Sequence, residues 1–386
     1  MRIAIFTQPL YTNYGGILQA YALQTLLEKN GHSVVVINRK YNFKLSLSLL
    51  FLRIASFIKC VIRYYLFRHK EVVVMNPLSP YYHTKWHGYD VQPFVSKQIN
   101  QSRAIYSSKK LRQYLENNKF DCYIVGSDQV WRPSYSPCIT DFFLKEVPSG
   151  ANALKIVYAA SFGSDKWEFS EEETRECAEL AKRFDAVSLR EDSGVALCLK
   201  YFGVKADHLL DPTMLLYKED YIRLFESMQV HKSTGNLFCY ILDESTEASH
   251  IIKSFVGKGY IPCYATVDVA PNKKNQYPYQ LLVEEWLRGI YDAELIITDS
   301  FHACVFAILF EKRFIVVGNT SRGNTRFDSL LNMFGLNNRK VDSYRKFLQI
   351  KESLLDSEDI RHAQNLLSQY RRESMRYFEK VDLLRV

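Results

Sequence analysis

Five short polar turns carry the side chains that could do chemistry. Asn13-Tyr14-Gly15-Gly16, Gly126-Ser127-Asp128, Ser161-Phe162-Gly163, Arg190-Glu191 and Asp299-Ser300-Phe301-His302 each stand at the edge of a predicted strand. His302 lies just inside a predicted helix start, and a histidine titrates near neutrality, so it could give and take a proton. Arg190 could grip a carboxylate or phosphate bidentately. A further basic run, Ser321 to Arg326, places Arg322 and Arg326 ahead of a helix, where they could close around a second anionic group. Each residue also has a plainer reading. His302 could be a core histidine, Arg190 a surface ion pair, Asp128 or Asp299 a helix cap, and the glycine pair only a turn. The 321–326 run could be a solvated loop. The collection says more than its members, because all five turns fall at one edge of predicted parallel sheets. Together they suit a small, doubly anionic ligand.

The elements that must position these turns alternate along the chain. Arg2–Phe6 reads as a buried strand, residues 17–29 as a helix stopped by Asn30-Gly31, and Val34–Ile37 as a second strand, a βαβ opening. Its Gly15-Gly16 turn is not GxGxxG, so a dinucleotide fingerprint is absent. Further strands are predicted at 121–125, 155–160, 186–189, 236–241, 260–265, 294–297 and 313–317. Helices are predicted at 107–117, 170–183 (with a Ser170/Glu173 capping box), 193–202, 246–257, 279–291, 302–310 and 326–334. The pattern predicts two Rossmann-like α/β domains facing across a cleft: 1–212, with a basic, apolar helical insertion at about 42–70, then 213–349. A helical segment, 350–386, is expected to pack back across both. Ligands of open α/β sheets bind at the carboxyl ends of the strands, where the polar turns lie.

Composition bounds the rest. The chain has 386 residues, is 47% hydrophobic and 24% charged, and is therefore an ordinary globular chain long enough for two cores. The eight cysteines are scattered without a CxxC pair, so no zinc ribbon is expected, and no other metal-ligand cluster is visible. Met1–Thr7 reads as a strand and not a secretory leader, so reduced cytoplasmic thiols are expected. The net charge of +8 is local: from Arg39 to Lys70 there are eight Lys or Arg and no Asp or Glu. Confinement of the charge argues against a nucleic-acid partner. Residues 42–68 could be an interfacial helix pair on an inner membrane surface, or a buried helical hairpin with snorkelling basic ends. Residues 71–105 read as an irregular aromatic flap over the site.

The turns, in order, resemble those of the polysaccharide pyruvyl transferase family. The resemblance rests on residues 13–23 (N-Y-G-G-I-L-Q-A-Y-A-L), Gly126 to Trp131, Val187 to Glu191, Asp211-Pro212 and Thr298 to His302, and covers roughly residues 1–335. It implies a GT-B-like fold and transfer of pyruvate from phosphoenolpyruvate to two hydroxyls of a sugar, as a cyclic ketal. It also implies that Arg190 is the donor-binding arginine and His302 the catalytic histidine. Asn13, Gly15, Gly16 and Ser300 would complete the donor site. Some members carry arginine where this chain has Ser300, so Arg322 or Arg326 is expected to supply that charge. Asp128 is expected to orient or deprotonate the acceptor, a polysaccharide or lipid-linked glycan precursor. The scheme requires no cofactor and no metal. Two alternatives remain: a nucleotide-sugar glycosyltransferase of the same fold, and a non-catalytic glycan- or membrane-binding scaffold.

Overall fold

The protein is seen here in a computed structural model, which describes residues 1–42, 47–66, 68, 91–148, 152–243, 245–267, 279–318 and 325–384. The first part comprises β1 (Arg2–Phe6), α1 (Tyr14–Lys29), β2 (Ser33–Ile37), α2 (Leu47–Tyr65), α3 (Gln92–Gln98), α4 (Ser108–Asn117), β3 (Cys122–Val125), β4 (Leu154–Ala160), α5 (Glu171–Ala181), β5 (Ala186–Leu189), α6 (Asp192–Leu197) and β6 (Asp207–His208). These six strands form one parallel sheet in the order β2-β1-β3-β4-β5-β6. Strands such as Ile3–Phe6 and Cys122–Val125 are apolar without alternation because helices cover both faces of the sheet. The Ser170/Glu173 capping box forms as predicted and starts α5.

The second part comprises α7 (Lys218–Ser227), β7 (Leu237–Tyr240), α8 (Thr246–Lys253), β8 (Pro262–Tyr264), β9 (Thr266–Val267), β10 (Tyr279–Gln280), α9 (Val283–Asp292), β11 (Leu295–Thr298), α10 (Phe301–Leu309), β12 (Arg313–Val317), α11 (Thr325–Met333), β13 (Lys340–Val341), α12 (Tyr344–Leu354) and α13 (Glu358–Glu379). Its parallel sheet runs β13-β12-β11-β7-β8. Every residue of α10 is buried. A helix apolar on all sides can exist only inside a core, and α10 packs there against α1 of the first part. The long helix α13 ties the two parts together. Gln364 donates to the Ile308 carbonyl at 2.6 Å, Arg371 to Met214 and Leu216, and Tyr377 to Val157 in β4 at 2.7 Å.

Several local expectations change. The 279–291 helix starts only at Val283, because residues 279–280 pair antiparallel with β9. Of the anticipated flap, residues 71–90 lie outside the described residues. Residues 91–105 instead pack beside β2, with Val91, Phe94, Val95 and Ile99 buried and bridges from Gln101 and Ile105. In place of a helical pair or buried hairpin at 42–68, the described residues form the single helix α2, which exposes Phe51, Ile54, Ile58, Ile62 and Tyr65. Among the described residues no helix is long and apolar enough to cross a membrane. All eight cysteines are free.

Candidate active site

The carboxyl ends of both sheets open onto one cleft of about 550 Å³. Its first wall carries Gln8, Tyr11, Asn13, Tyr41, Asp128 and Tyr135, from the turns after β1, β2 and β3. The opposite wall carries Tyr240, Ser300, Phe301, His302 and Arg326, from β7 and from the starts of α10 and α11.

Helix α1 meets α10 here. Asn13 caps α1, its side chain accepting from the Gly15 amide at 3.1 Å and donating to Asp128 Oδ2 at 3.3 Å. Gly15 lies flush on the His302 ring: a Cβ at that position would fall 1.8 Å from Nδ1. A Cβ on Gly16 would come 3.0 Å from Asp128 Oδ2. The glycine pair is therefore explained by close approach, not by a left-handed turn.

Beneath the cleft lies a dense ion cluster built on Asp211. Thr213 donates to Asp211 Oδ1 through its amide and hydroxyl, at 3.0 and 2.7 Å. Ser127 Oγ and Arg190 Nη1 donate to Oδ2 at 2.9 and 2.7 Å, and His302 Nε2 stands 3.5 Å from the same oxygen. The last is an electrostatic contact at the long limit of a hydrogen bond. Burial alone would raise the Asp211 carboxyl's affinity for a proton. His302, Arg190 and the Thr213 amide overcome it and hold the carboxyl well below the usual carboxylate range. Arg190 is wholly buried and also reaches Asp128 Oδ1 at 3.1 Å. Burial works against its charge, but Asp211 and Asp128 outweigh it and raise its proton affinity. Asp128 sits at φ +73°, in the left-handed region that aspartate tolerates better than most residues. No helix starts there, so it caps none; its oxygens face Arg190 and Asn13.

The predicted site residues thus separate into two layers. His302, Asp128, Asn13, Ser300 and Arg326 line the cleft, and Gly15 and Gly16 back it. Arg190 lies below the floor, with a side chain only 1% exposed and both terminal nitrogens on carboxylates. Its guanidinium lies 4.7 Å over the Phe301 ring, and that of Arg326 lies 6.0 Å over it. Burial and the nearby Arg190 charge push the Arg326 guanidinium down to about 10, still cationic at neutral pH. Arg322 lies outside the described residues. Three of the five turns contain residues that serve structure. Glu191 accepts from the Phe162 amide at 2.8 Å, which joins the Ser161-Phe162-Gly163 turn to the β5 turn. Asp299 accepts from the Leu242 and Asp243 amides, and Ser300 holds the cap position of α10.

Asp211 and Thr213 belong to this cluster but carry no role on the sequence alone. The signal was present, since Asp211-Pro212 ends the β6 strand as the other turns end theirs. From the sequence it stands at the junction between domains and among the motifs of the family resemblance, with no chemical role. Among the described residues no group of three or more His, Cys, Asp and Glu side chains could hold a metal.

Comparison with known proteins bears on this arrangement. The family model for polysaccharide pyruvyl transferase matches residues 13–321. Comparison with curated proteins found no match. Among solved structures, Staphylococcus aureus MnaA with UDP aligns over 100% of this chain and 98% of its own, at 12% identity and TM-score 0.52. The glycosyltransferase of kitacinnamycin aligns over 100% and 99%, at 10% identity and TM-score 0.51. Neisseria meningitidis UDP-GlcNAc 2-epimerase bound to UDP-GlcNAc aligns over 97% and 99%, at 11% identity and TM-score 0.50. These likenesses identify the two-domain arrangement as GT-B-like.

Proposed function

From the premise that the chain belongs to the polysaccharide pyruvyl transferase family, we propose that it moves pyruvate from phosphoenolpyruvate to two hydroxyls of one sugar, closing a cyclic ketal. The acceptor in this reading is a polysaccharide or a lipid-linked glycan precursor, which would bring the protein to an inner membrane surface. The observation that carries the reading is the His302–Asp211 pair, set against the bare backbone of Gly15 in a cleft that Arg326 also lines.

The residues divide the work as follows. Arg326 and the helix-start amides of α10 attract the donor's two anionic groups. Arg190 acts through its neighbours, fixing Asp128 and Asp211 in place, and its charge offsets theirs. Asp211 holds one nitrogen of His302, and the other ring nitrogen, on the Gly15 side, hands a proton to the donor's methylene carbon. The first sugar hydroxyl then attacks the adjacent carbon, its proton drawn towards Asp128. The carbon–oxygen bond to phosphate breaks, and the second hydroxyl closes the ring. Of the two hydroxyl protons released, one balances the proton gained by the new methyl group and the other leaves with phosphate.

The test is phosphate release from phosphoenolpyruvate with candidate glycan acceptors, with the product checked for a ketal carbon by NMR. His302→Ala should fold and lose turnover; near-normal turnover would remove His302 from the chemistry. A nucleotide-sugar glycosyltransferase would instead be stabilised against heat by a nucleoside diphosphate and not by phosphoenolpyruvate. A scaffold would bind a glycan and turn over neither donor.

A further inference from the structure

Helix α2 carries an apolar stripe that no described part of the protein covers. Phe51, Ile54, Ile58, Ile62 and Tyr65 recur every three or four residues and so lie on one face. They are 71%, 37%, 50%, 43% and 74% exposed, and Leu66 continues the stripe at 75%. Phe57, Val61 and Tyr64, on the neighbouring face, are partly buried, so the helix has an inner and an outer side. Exposed apolar residues scattered singly need no explanation, but an aligned row of six marks a contact surface.

Charge indicates what covers it. The segment from Arg39 to Lys70 holds eight Lys or Arg and no acid, and Lys59 and Arg68 are exposed on and beside the helix. A second copy meeting face to face would set two such segments together, each without a carboxylate to answer the other's cations. An anionic bilayer answers both features at once, with acyl chains for the stripe and phosphates for the cations. The helix is too short of apolar residues to span, so it would lie along the surface.

Position adds a third observation. Tyr41 lines the cleft, and its hydroxyl donates to the Tyr135 carbonyl at 2.5 Å. Leu47, where α2 begins, follows six residues later, a reach of no more than about 20 Å even when fully extended. We propose that α2 docks in the plane of an anionic membrane surface and holds the mouth of the cleft beside it. Docking stands apart from the donor chemistry. That the membrane presents the acceptor rests on the pyruvyl-transfer reading.

Flotation of the full-length protein tests the docking, using phosphatidylcholine vesicles with and without phosphatidylglycerol. The protein should float with the anionic vesicles, less so as salt is raised. The triple variant Phe51→Glu, Ile58→Glu, Ile62→Glu alters only exposed positions and should keep its circular dichroism and unfolding midpoint. It should lose about tenfold or more in vesicle partitioning. Lys59→Gln and Arg68→Gln should each cost about fivefold. Wild-type protein that floats with neither vesicle, or a triple variant that floats as well as wild type, would overturn the proposal. So would a concentration-dependent dimer that the triple variant abolishes without any flotation, since a second copy would then cover the stripe. Phosphate release with a soluble acceptor should be unchanged in the triple variant, which separates failure of docking from failure of the catalytic reading.

Discussion

Gly15→Ala isolates the contact between the two halves of the site. The φ angle at Gly15 lies outside the left-handed range, so the backbone there accepts alanine. Helix propensity alone would make alanine the better residue by roughly 1 kcal/mol. The new methyl group, however, would sit 1.8 Å from His302 Nδ1, 2.1 Å from Cγ and 2.4 Å from Cε1. Ordinary contact begins near 3.4 Å, so ring and helix must part by about 3.4 − 1.8 = 1.6 Å. His302 cannot simply swing aside, because every residue of α10 is buried and Nε2 faces Asp211. Overpacking of this kind costs about 1–3 kcal/mol, which cancels or exceeds the propensity gain. The larger effect falls on turnover. A displacement of about 1 Å at reacting groups can cost on the order of a hundredfold. Steady-state phosphate release should therefore fall by about a hundredfold, while the unfolding midpoint in urea drops only modestly. Gly16→Ala, whose Cβ would come 3.0 Å from Asp128 Oδ2, should fall less. A Gly15→Ala enzyme within a few-fold of wild type would refute the arrangement of His302 against α1.

Removing the pivot of the ion cluster should cost both stability and rate. Asp211→Asn leaves the Arg190 guanidinium buried with one carboxylate fewer; chemical denaturation should show a loss of about 3–5 kcal/mol, and turnover should fall about a hundredfold or more. Because the Asp211 carboxyl is held below its ordinary value of 3.8 in the folded protein, its contribution is fully present above about pH 4 and is lost as pH falls further through the folded value. Wild-type stability should thus decline in acid more steeply than that of Asp211→Asn, and parallel curves would exclude the linkage. Arg326→Gln should weaken phosphoenolpyruvate affinity by about ten- to a hundredfold, as loss of a charged hydrogen bond predicts. Adding Ser300→Arg to that variant should restore part of the affinity, measured calorimetrically; no recovery would separate Ser300 from the donor site. Arg190→Lys, which cannot reach Asp128 and Asp211 in the same forked geometry, should lower the unfolding midpoint as well as turnover.

Much of the fold was legible because its signals are local. Apolar runs of four or five residues ending in polar turns mark buried parallel strands, and Ser170 with Glu173 marks a helix start wherever it occurs. Structure set by distant partners was not legible. Residues 279–280 join a strand because β9 lies opposite them, and nothing in Tyr279-Gln280 itself states that. Val91 to Ile105 looked like a flap because the β2 edge they pack against lies more than fifty residues earlier. The 42–68 segment reads as helical, but that it forms one helix and not two, and whether its apolar residues turn inward, depends on what surrounds it.

The site divides in the same way. Turn position was enough to assemble His302, Asp128, Asn13 and the glycine pair around one cleft. Depth was not predictable, since a charged residue at a strand end normally reads as exposed. Arg190 is buried because two carboxylates from two other turns meet it there, 62 residues before it and 21 after. That pairing also bears on the departure at Ser300. With Arg190 matched by Asp128 and Asp211, the cluster below the floor has no positive surplus of its own to offer a doubly anionic donor. Among the described residues, the guanidinium that lines the cleft is Arg326, on the helix that follows α10 and β12, and it lies over the same Phe301 ring as Arg190. In the pyruvyl-transfer reading proposed above, Arg326 would supply from α11 the charge that an arginine at position 300 would bring, since both positions line the same side of the cleft. On that reading, donor binding would require positive charge at one place in space and not at one place in the chain.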